Sequence, residues 1–282
     1  MKFNKINSLA KINLSLNIIK RLPNRYHKIE SLVTFVNIFD EIKIRSIKNA
    51  HHKISFTGNF AKGIGKSNTV TKLLKLLEEK KLIKNKKFEI KIKKNIPQKS
   101  GMAGGSMNAA AIIKYFIKKK IVNISKNKIH RLAYEIGSDV ILGLEKKNSI
   151  IFVNGKIGRL SKKIKFHVLI VKPNIDCSTK YIYGKVKKYS KPIYTNKSKL
   201  FFTTRNLIKS NNALENVVFK KYPKINNLKY FLSKLPNITF ARMTGSGSAI
   251  VAYFKSKRTA KKAAKLFRRK YKNYWYIVSK TI

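Results

Sequence analysis

The stretch Pro97-Gln-Lys-Ser-Gly-Met-Ala-Gly-Gly-Ser106 connects a strand-like run to a helical pattern. Its glycines, Gly101, Gly104 and Gly105, lack a Cβ atom, so the backbone can come close to an anion and can adopt positive φ angles. A helix that begins near Ser106 would present unpaired N–H groups and the positive end of its dipole to that anion. The stretch predicts a pyrophosphate cradle, although a tight structural turn before a helix would use the same residues.

Two better-known phosphate-binding patterns are excluded. Gly65-Lys66-Ser67 resembles the end of a P-loop, but the first glycine of that motif would fall at Phe60. The stretch at Pro97 lacks a terminal Gly-Lys-Ser/Thr. It also does not follow the first strand of a βαβ unit, as a dinucleotide-binding G-x-G-x-x-G does. The predicted cradle therefore belongs to another scheme.

Outward from this loop, hydrophobic periodicity predicts an α+β fold. Residues 10–17 alternate strictly, with Ala10, Ile12, Leu14 and Leu16 on one side, which is typical of a strand with one core face and one polar face. Further strands are predicted at 29–39, 41–47, 88–92, 149–153, 166–171, 249–254 and 274–279, and helices at 69–80, 108–119, 126–136, 225–235 and 259–270. We expect two halves that share a cleft.

The net charge of +54 is the most extreme property of the 282 residues, and it favours a nucleic-acid partner. Two observations count against that partner. Only ten of the 65 basic residues are arginine, the usual reader of base edges and phosphates, and the lysines are spread over the whole chain. Lysine, asparagine, isoleucine, phenylalanine and tyrosine, whose codons are rich in A and T, are all abundant. The composition therefore favours genome bias over a selected partner as the origin of the charge, and a positive field would still attract polyanionic substrates such as nucleotides.

Other bulk properties exclude further classes. The 43% hydrophobic and 11% aromatic content is that of a folded protein. The single cysteine, Cys177, excludes an internal disulfide. No apolar run approaches the roughly 20 residues that cross a bilayer, and the N-terminus is too polar for a signal peptide. We expect a cytoplasmic protein, a monomer or weak dimer, with no membrane and no specific nucleic-acid partner.

Three motifs, in this order, resemble those of the GHMP kinases: Lys11 within Ala10–Leu14, the loop at 97–111, and Met243-Thr-Gly-Ser-Gly-Ser248. Tyr26-His27 and Gly137-Ser-Asp-Val140 are similar to segments of the members that phosphorylate a cytidyl diphosphate sugar-alcohol. The resemblance implies a two-domain GHMP kinase fold, with domains at 1–163 and 164–282 and the active site in the cleft between them. It also implies transfer of the γ-phosphate of ATP, with Mg²⁺, to the 2-hydroxyl of 4-diphosphocytidyl-2-C-methylerythritol in the non-mevalonate isoprenoid pathway.

Phosphoryl transfer to an alcohol needs a base for the hydroxyl proton, and the chain has three aspartates. We expect Asp40, at the start of a strand beside Glu41, to be solvated. Asp139 follows a helix in a Gly-Ser-Asp turn, where it would present a carboxylate or cap the turn, and Asp176 is its rival. The resemblance implies that Asp139 is the base. It also implies that Lys11, otherwise one more solvated lysine, keeps that carboxylate ionised and offsets phosphoryl charge.

Polar and aromatic side chains are the candidates for binding the acceptor. Asn13 lies on the polar face of the first predicted strand and could hydrogen-bond the substrate. A neutral His27 could read the cytosine edge and the ring of Tyr26 could stack on its face, although a loop histidine with an anchoring tyrosine would look the same. The resemblance adds Tyr183 on the other side of the cytosine and Thr179 as a further contact.

The ATP site that the resemblance implies has several parts. Asn68 lies near the adenine, and Lys94 meets phosphate or ribose. The glycine loop contributes Pro97, Gln98, Lys99, Ser100, Gly101, Met102, Ala103, Gly104, Gly105 and Ser106, and a second glycine turn contributes Gly245, Ser246 and Gly247 after Thr244. A simple hairpin or strand-entry turn would also explain that second turn.

Four residues depart from the pattern of the family. Ala103 stands where glycine is frequent, and Met107 replaces a small hydroxyl residue, so a phosphate or metal role there falls to Ser106. Arg25 replaces a glycine and Ile141 a proline. The metal ligands stay unassigned. Two other functions remain open: a GHMP kinase for homoserine or a mevalonate-type alcohol, and a lysine-rich nucleic-acid-binding protein.

Overall fold

The computed structural model describes residues 2–24, 26–161 and 164–282. The strands are β1 (Asn4–Arg21), β2 (His27–Ile47), β3 (Lys53–Thr57), β4 (Lys87–Lys93), β5 (Asn148–Ile151), β6 (Ile157–Leu160), β7 (His167–Lys172), β8 (Ile238–Met243), β9 (Ile250–Phe254) and β10 (Trp275–Lys280). The helices are α1 (Thr69–Glu79), α2 (Gly104–Lys118), α3 (Lys126–Ile136), α4 (Val140–Leu144), α5 (Thr179–Gly184), α6 (Thr204–Lys209), α7 (Glu215–Lys221), α8 (Pro223–Ser233) and α9 (Lys257–Lys270), with a short 3-10 helix at Lys199–Phe202. The predicted α+β class is confirmed.

The chain divides into two compact units, neither of them contiguous in sequence. The first comprises the chain up to Lys11, Ile38–Gln98 and Ala103–Lys146, and the second comprises Ile12–Asn37, Lys99–Met102 and Lys147–Ile282. The expected domain boundary at 163 and 164 stays a prediction, because Lys163 lies outside the described residues.

In the first unit, helices α1 to α4 pack against one another, and α2 also contacts strand β4. The C-terminal half of β2 pairs antiparallel with β4, and β4 pairs parallel with β3. Helix α1 begins at the N-cap Asn68, whose side chain accepts the backbone N–H groups of Val70 and Thr71. Helix α2 buries its apolar side, and Phe116 on it meets Phe88 of β4 with 4.6 Å between the ring centroids. The contact between these two rings connects the C-terminal part of α2 to β4.

The second unit is built around the antiparallel sheet β10-β7-β9-β8. Helices α8 and α9 pack on this sheet. Their buried side chains are Ile225, Leu228 and Leu232 on α8, and Ala260, Ala263, Ala264 and Phe267 on α9. The N-terminal half of β2 pairs with β5 in the same unit, and β5 pairs with β6. The turn between β8 and β9 is thereby held on a rigid base.

Several element boundaries differ from the sequence predictions for physical reasons. The strands expected at 29–39 and 41–47 form one continuous strand, β2, because Asp40 is buried in it and does not break it. Helix α2 begins at Gly104, two residues before Ser106. Strands β3, β6 and β8 were not predicted, because each is only four to six residues long and mixes polar with apolar positions.

No helix in the described part of the chain is both long and apolar enough to cross a membrane.

Arg25, one of the departures from the family pattern, lies outside the described residues.

Candidate active site

Two lysines are buried among the many that the structure describes, and both were predicted as site residues. Lys11 is 3% exposed and Lys94 is 4% exposed. A buried ammonium group needs a charged partner, because removing an unpaired charge from water costs roughly several kcal/mol even after the protein relaxes around it. Each of these lysines has an aspartate as that partner. The interpretation of Lys11 as one more solvated lysine is therefore wrong.

Lys11 pairs with Asp139. Its Nζ lies 3.4 Å from the Oδ2 of Asp139, and the side chains are 4% and 35% exposed, respectively. Helix α3 ends at Ile136 with Gly137 as its C-cap, and Asp139 is the N-cap residue of α4, so Asp139 lies between two helix termini. The lysine is thus enclosed while the carboxylate keeps an open side that an incoming hydroxyl can reach.

Asp40 pairs with Lys94, and the expectation that Asp40 is solvated is wrong. Asp40 is fully buried, and its Oδ1 accepts the backbone N–H groups of Asn95 at 2.8 Å and Ile96 at 2.9 Å. Its Oδ2 accepts a hydrogen bond from the Nζ of Lys94. Three donors make burial of this carboxylate favourable, and all three come from the segment after β4, about 55 residues away in sequence. A Cβ atom at Gly104 would lie 3.4 Å from the Nζ of Lys94, so this ammonium group is close to the first residue of α2.

The glycine loop reaches α2 through left-handed backbone conformations at Lys99 (φ 48°), Gly101 (φ 75°) and Ala103 (φ 55°). At Gly101 a glycine is required, because a Cβ atom there would lie 1.9 Å from the carbonyl oxygen of Thr244. Ala103 adopts the left-handed conformation despite its Cβ atom and stands directly before Gly104. Gly104 to Ser106 form the first turn of α2, and anion binding by their backbone N–H groups stays a prediction.

Other residues of this loop have structural partners. The Nε2 of Gln98 donates to the carbonyl oxygens of Phe60 and Lys62, both at 2.8 Å. Pro97, Ser100 and Met102 are buried. The exposed Lys99 donates its Nζ to Asp176 at 3.1 Å.

The second glycine turn, Thr244–Ser248, contacts the Lys99–Met102 part of the loop. The hydroxyl of Thr244 donates to the carbonyl of Gly101 at 3.3 Å, and the N–H of Ser248 donates to the carbonyl of Lys99 at 3.2 Å. Gly245 and Gly247 both have positive φ, and the hydroxyl of Ser246 lies 2.8 Å from that of Thr179. This turn is therefore a support for the loop and more than a plain hairpin.

Asn13 is buried and oriented by its neighbours in the second unit. Its Nδ2 donates to the hydroxyl of Ser31 at 2.8 Å, and its backbone N–H donates to the hydroxyl of Thr244 at 3.0 Å. Ser31 in turn donates to the carbonyl of Ser15 at 2.5 Å. The donor end of the Asn13 amide is thus fixed.

His27 and Tyr183 form an aromatic pair, with 5.4 Å between ring centroids and an interplanar angle of 46°. The Nε2 of His27 is buried, and no hydrogen-bond partner for it is found among the described residues. Burial and then the charge of Arg21 lower the pKa of His27 below its ordinary value of 6.5, so the imidazole is neutral at pH 7. Tyr26 is 72% exposed, and its stacking role stays a prediction.

The remaining predicted residues have the following places. Asn68 caps α1, and its Nδ2 donates to the carbonyl of Gly65 at 3.0 Å, so its role near adenine stays a prediction. Met107 is 2% exposed and packs towards Gly143, which explains an apolar residue at that position. Ile141 is likewise buried, within α4.

The rival base, Asp176, has two lysine partners. Its carboxylate lies 3.1 Å from the Nζ of Lys99 and 3.1 Å from that of Lys172. Partial burial tends to raise the pKa of Asp176, but the hydrogen bonds from the two lysines outweigh it and lower the pKa. A carboxylate whose pKa is lowered in this way is a weaker base than a free aspartate.

Sequence reasoning missed three polar residues that act on these loops: Asp40, Asn212 and Glu215. The segment Asn212-Ala-Leu-Glu215 before α7 carries the pattern of a helix N-terminus, which could have been noticed. Its long-range hydrogen bonds to Met243 and Gly245 could not have been predicted, because about 30 residues separate the partners.

Residues 68–155 match the family model of the GHMP kinases N terminal domain, and residues 202–273 match that of the GHMP kinases C terminal domain. These matches define the class of the protein. Over 278 residues the chain is 50% identical to the 4-diphosphocytidyl-2-C-methyl-D-erythritol kinase of Pelagibacter ubique (strain HTCC1062), with 99% of each chain covered. The chain belongs to the 4-diphosphocytidyl-2-C-methyl-D-erythritol kinase family within the GHMP kinases.

Solved structures confirm the fold. A crystal structure of 4-(cytidine 5'-diphospho)-2C-methyl-D-erythritol kinase matches with a TM-score of 0.80 at 20% identity, covering 99% of this chain and 100% of that one. Homoserine kinase from Cytophaga hutchinsonii ATCC 33406 matches with a TM-score of 0.72 at 17% identity, covering 100% and 95%. The predicted two-domain GHMP kinase fold is thereby confirmed.

Proposed function

We propose that this protein transfers the γ-phosphate of ATP to the 2-hydroxyl of 4-diphosphocytidyl-2-C-methyl-D-erythritol, in the non-mevalonate route to isoprenoid precursors. The observation that carries the proposal is the 50% identity to a kinase of that name over 99% of both chains. The buried Lys11 paired with Asp139 supports it, because this pair supplies the acid–base chemistry that the reaction needs.

Asp139 is the proposed general base. Its partly open carboxylate accepts the proton of the acceptor hydroxyl as the oxygen attacks the γ-phosphorus. Lys11 keeps Asp139 ionised and offsets negative charge on the phosphoryl group in transit. Asn13, two residues further along β1, is the proposed hydrogen-bonding group that orients the acceptor.

The ATP phosphates are proposed to bind at the glycine loop and the N-terminus of α2. Gly104, Gly105 and Ser106 supply N–H groups, and Lys94 supplies a positive charge beside Gly104. Mg²⁺ is expected to enter with ATP, because this ion is held mainly by substrate phosphates and by one or two oxygen ligands from the protein. The described residues hold no group of three or more His, Cys, Asp or Glu side chains that could bind a metal ion. The hydroxyl of Ser106, in the first turn of α2, is the oxygen donor that is proposed from the protein.

The cytidine group is proposed to bind at His27 and Tyr183. A neutral imidazole whose buried Nε2 has no hydrogen-bond partner within the described part of the chain offers one polar atom to the cytosine edge, and the adjacent Tyr183 ring offers an apolar face. Tyr26 and Thr179 are the further proposed contacts. A small alcohol substrate has no base to stack, so this pair disfavours homoserine or a mevalonate-type alcohol as the acceptor.

An assay of ATP consumption tests the proposal directly. The purified protein is given ATP and Mg²⁺ with the cytidyl substrate, homoserine or mevalonate in parallel. We expect turnover with the cytidyl substrate alone. Turnover with homoserine or mevalonate instead would overturn the acceptor. Tight, steeply salt-dependent DNA or RNA binding without transfer to any alcohol would support the nucleic-acid hypothesis.

We further propose that the enzyme acts in the cytoplasm, where ATP is available, as a monomer or weak dimer. Gel filtration at several protein concentrations tests the oligomeric state.

A further inference from the structure

Asn212 is a buried side chain that binds two backbone carbonyls at the end of β8. It is 2% exposed, and its Nδ2 donates to the carbonyl oxygens of Met243 and Gly245, both at 2.8 Å. Its Oδ1 accepts the N–H of Leu214 at 3.0 Å. Both N–H groups of the Nδ2 and the Oδ1 of this amide therefore take part in hydrogen bonds. A 180° flip of the amide would break all three bonds.

Glu215 acts on the same backbone. Its Oε1 accepts the N–H of Met243 at 2.7 Å, and its Oε2 accepts the Nζ of Lys229 at 2.6 Å. Asn212 and Glu215 together thus fix both the N–H and the carbonyl of Met243, the residue directly before the second glycine turn.

The second glycine turn transmits this constraint to the glycine loop. The carbonyl of Thr244 fills the space in which a Cβ atom of Gly101 would lie, at 1.9 Å. The hydroxyl of Thr244 and the N–H of Ser248 bind the carbonyls of Gly101 and Lys99. Since these contacts leave no room between the two backbones, a displacement of Thr244 also displaces Gly101.

We propose that Asn212 is a positioning residue for the ATP-phosphate loop. The proposal rests on the proposed function, because it takes the glycine loop as the phosphate site. Asn212 holds Met243 and Gly245, Thr244 between them contacts Gly101, and Gly101 is part of the glycine loop, three residues before Gly104. Loss of the two donated bonds is expected to weaken ATP binding more than acceptor binding.

The test uses Asn212→Asp in the full chain. This substitution keeps the shape and the Oδ1 acceptor, but it turns the Nδ2 donor into an oxygen that faces two carbonyl oxygens. The matched control is Asn206→Asp, because the Nδ2 of Asn206 also donates to one backbone carbonyl, that of Leu200, at 2.8 Å in an exposed position. The affinity for a non-hydrolysable ATP analogue, the KM values for ATP and the cytidyl substrate, and the Tm are measured for wild type and both variants.

We expect Asn212→Asp to raise the KM for ATP and the Kd for the analogue about tenfold, equal to about 1.4 kcal/mol. The KM for the cytidyl substrate should change less than about threefold, and Asn206→Asp should match the wild type. A KM for ATP that stays at the wild-type value, or equal losses for ATP and acceptor, would overturn the inference. If Asn212→Asp does not fold, Asn212→Ala is measured by the same criteria. If neither variant folds, the residue is only structural and the inference fails.

Failure of the proposed function gives a different result. In that case the wild type transfers no phosphate to the cytidyl substrate, while the affinities of wild type and variants for the ATP analogue still decide the role of Asn212.

Discussion

The Nζ of Lys11 lies 3.4 Å from the Oδ2 of Asp139, and the lysine is enclosed by protein while the aspartate is 35% exposed. This asymmetry fits the different functions that are proposed for the two groups. The lysine supplies a fixed positive charge, and the aspartate is the member of the pair that a substrate can reach.

Replacement of Asp139 by asparagine removes the proposed base and keeps the shape of the side chain. We expect kcat to fall by about 10²–10⁴-fold, the usual contribution of a general base. The Kd for an ATP analogue should stay within about twofold. Steady-state kinetics and calorimetry with the analogue measure the two quantities. Asp176→Asn is the control, and near-normal turnover of Asp139→Asn together with loss in Asp176→Asn would make Asp176 the base.

Replacement of Lys11 by methionine removes the charge and keeps most of the apolar stem. We expect kcat to fall by about 10²–10³-fold, as for other losses of a preorganised positive group. Lys5→Met on the same strand is the matched control, because Lys5 is exposed. Equal kcat values for the two variants would contradict a catalytic function of Lys11.

Replacement of His27 by alanine should raise the KM for the cytidyl substrate about tenfold and leave the KM for ATP unchanged. One lost hydrogen bond and the lost ring contact account for this size, since a hydrogen bond contributes about 1 kcal/mol. Initial rates with each substrate varied in turn measure both constants. If both KM values rose together, His27 would not belong to the acceptor site.

The pH dependence of acceptor binding follows from the lowered pKa of His27. Because this pKa lies below 6.5, the neutral imidazole predominates at pH 7 and above, and it is lost as the pH falls through the lowered value. We expect the KM for the cytidyl substrate to be constant from pH 7 to 8 and to rise in acid. His27→Ala should remove this rise. If the KM of that variant still rose in acid, a group other than His27 would be responsible.

Substitution of Gly101 by alanine tests the contact between the glycine loop and the second glycine turn. Its Cβ atom would overlap the carbonyl of Thr244, so we expect a loss of stability of about 1–3 kcal/mol or more and a raised KM for ATP. Gly155→Ala is the control, because Gly155 has a similar φ of 79° and a Cβ atom there meets nothing within 4 Å. Thermal unfolding and ATP kinetics are measured for both variants. Both substitutions introduce backbone strain, so the difference between them reports the clash with Thr244.

Local sequence patterns predicted the elements that carry the site. The apolar spacing predicted α1 almost to the residue, and the alternation from Ala10 predicted the core of β1. The glycine cluster gave the position of the loop before α2. Each of these signals lies within a few residues of the chain, where periodicity and cap preferences act.

Tertiary contacts account for what the sequence did not predict. Asp40 looks like any aspartate at a strand start, and its burial depends on donors after β4. Asn212 looks like a helix cap, and its bonds to Met243 and Gly245 depend on the packing of the second unit. Lys11 could not be told from other lysines by composition, because what distinguishes it is burial beside Asp139.

The three aspartates of the chain each contact a lysine: Asp40 contacts Lys94, Asp139 contacts Lys11, and Asp176 contacts Lys99 and Lys172. Selective isotopic labelling of aspartate would therefore produce a carboxyl NMR spectrum of three resonances, each beside a different lysine. Addition of ATP and then of the acceptor would show which resonance moves with which ligand. The scarcity of acidic residues thus makes aspartate a spectroscopic reporter that needs no substitution in the protein.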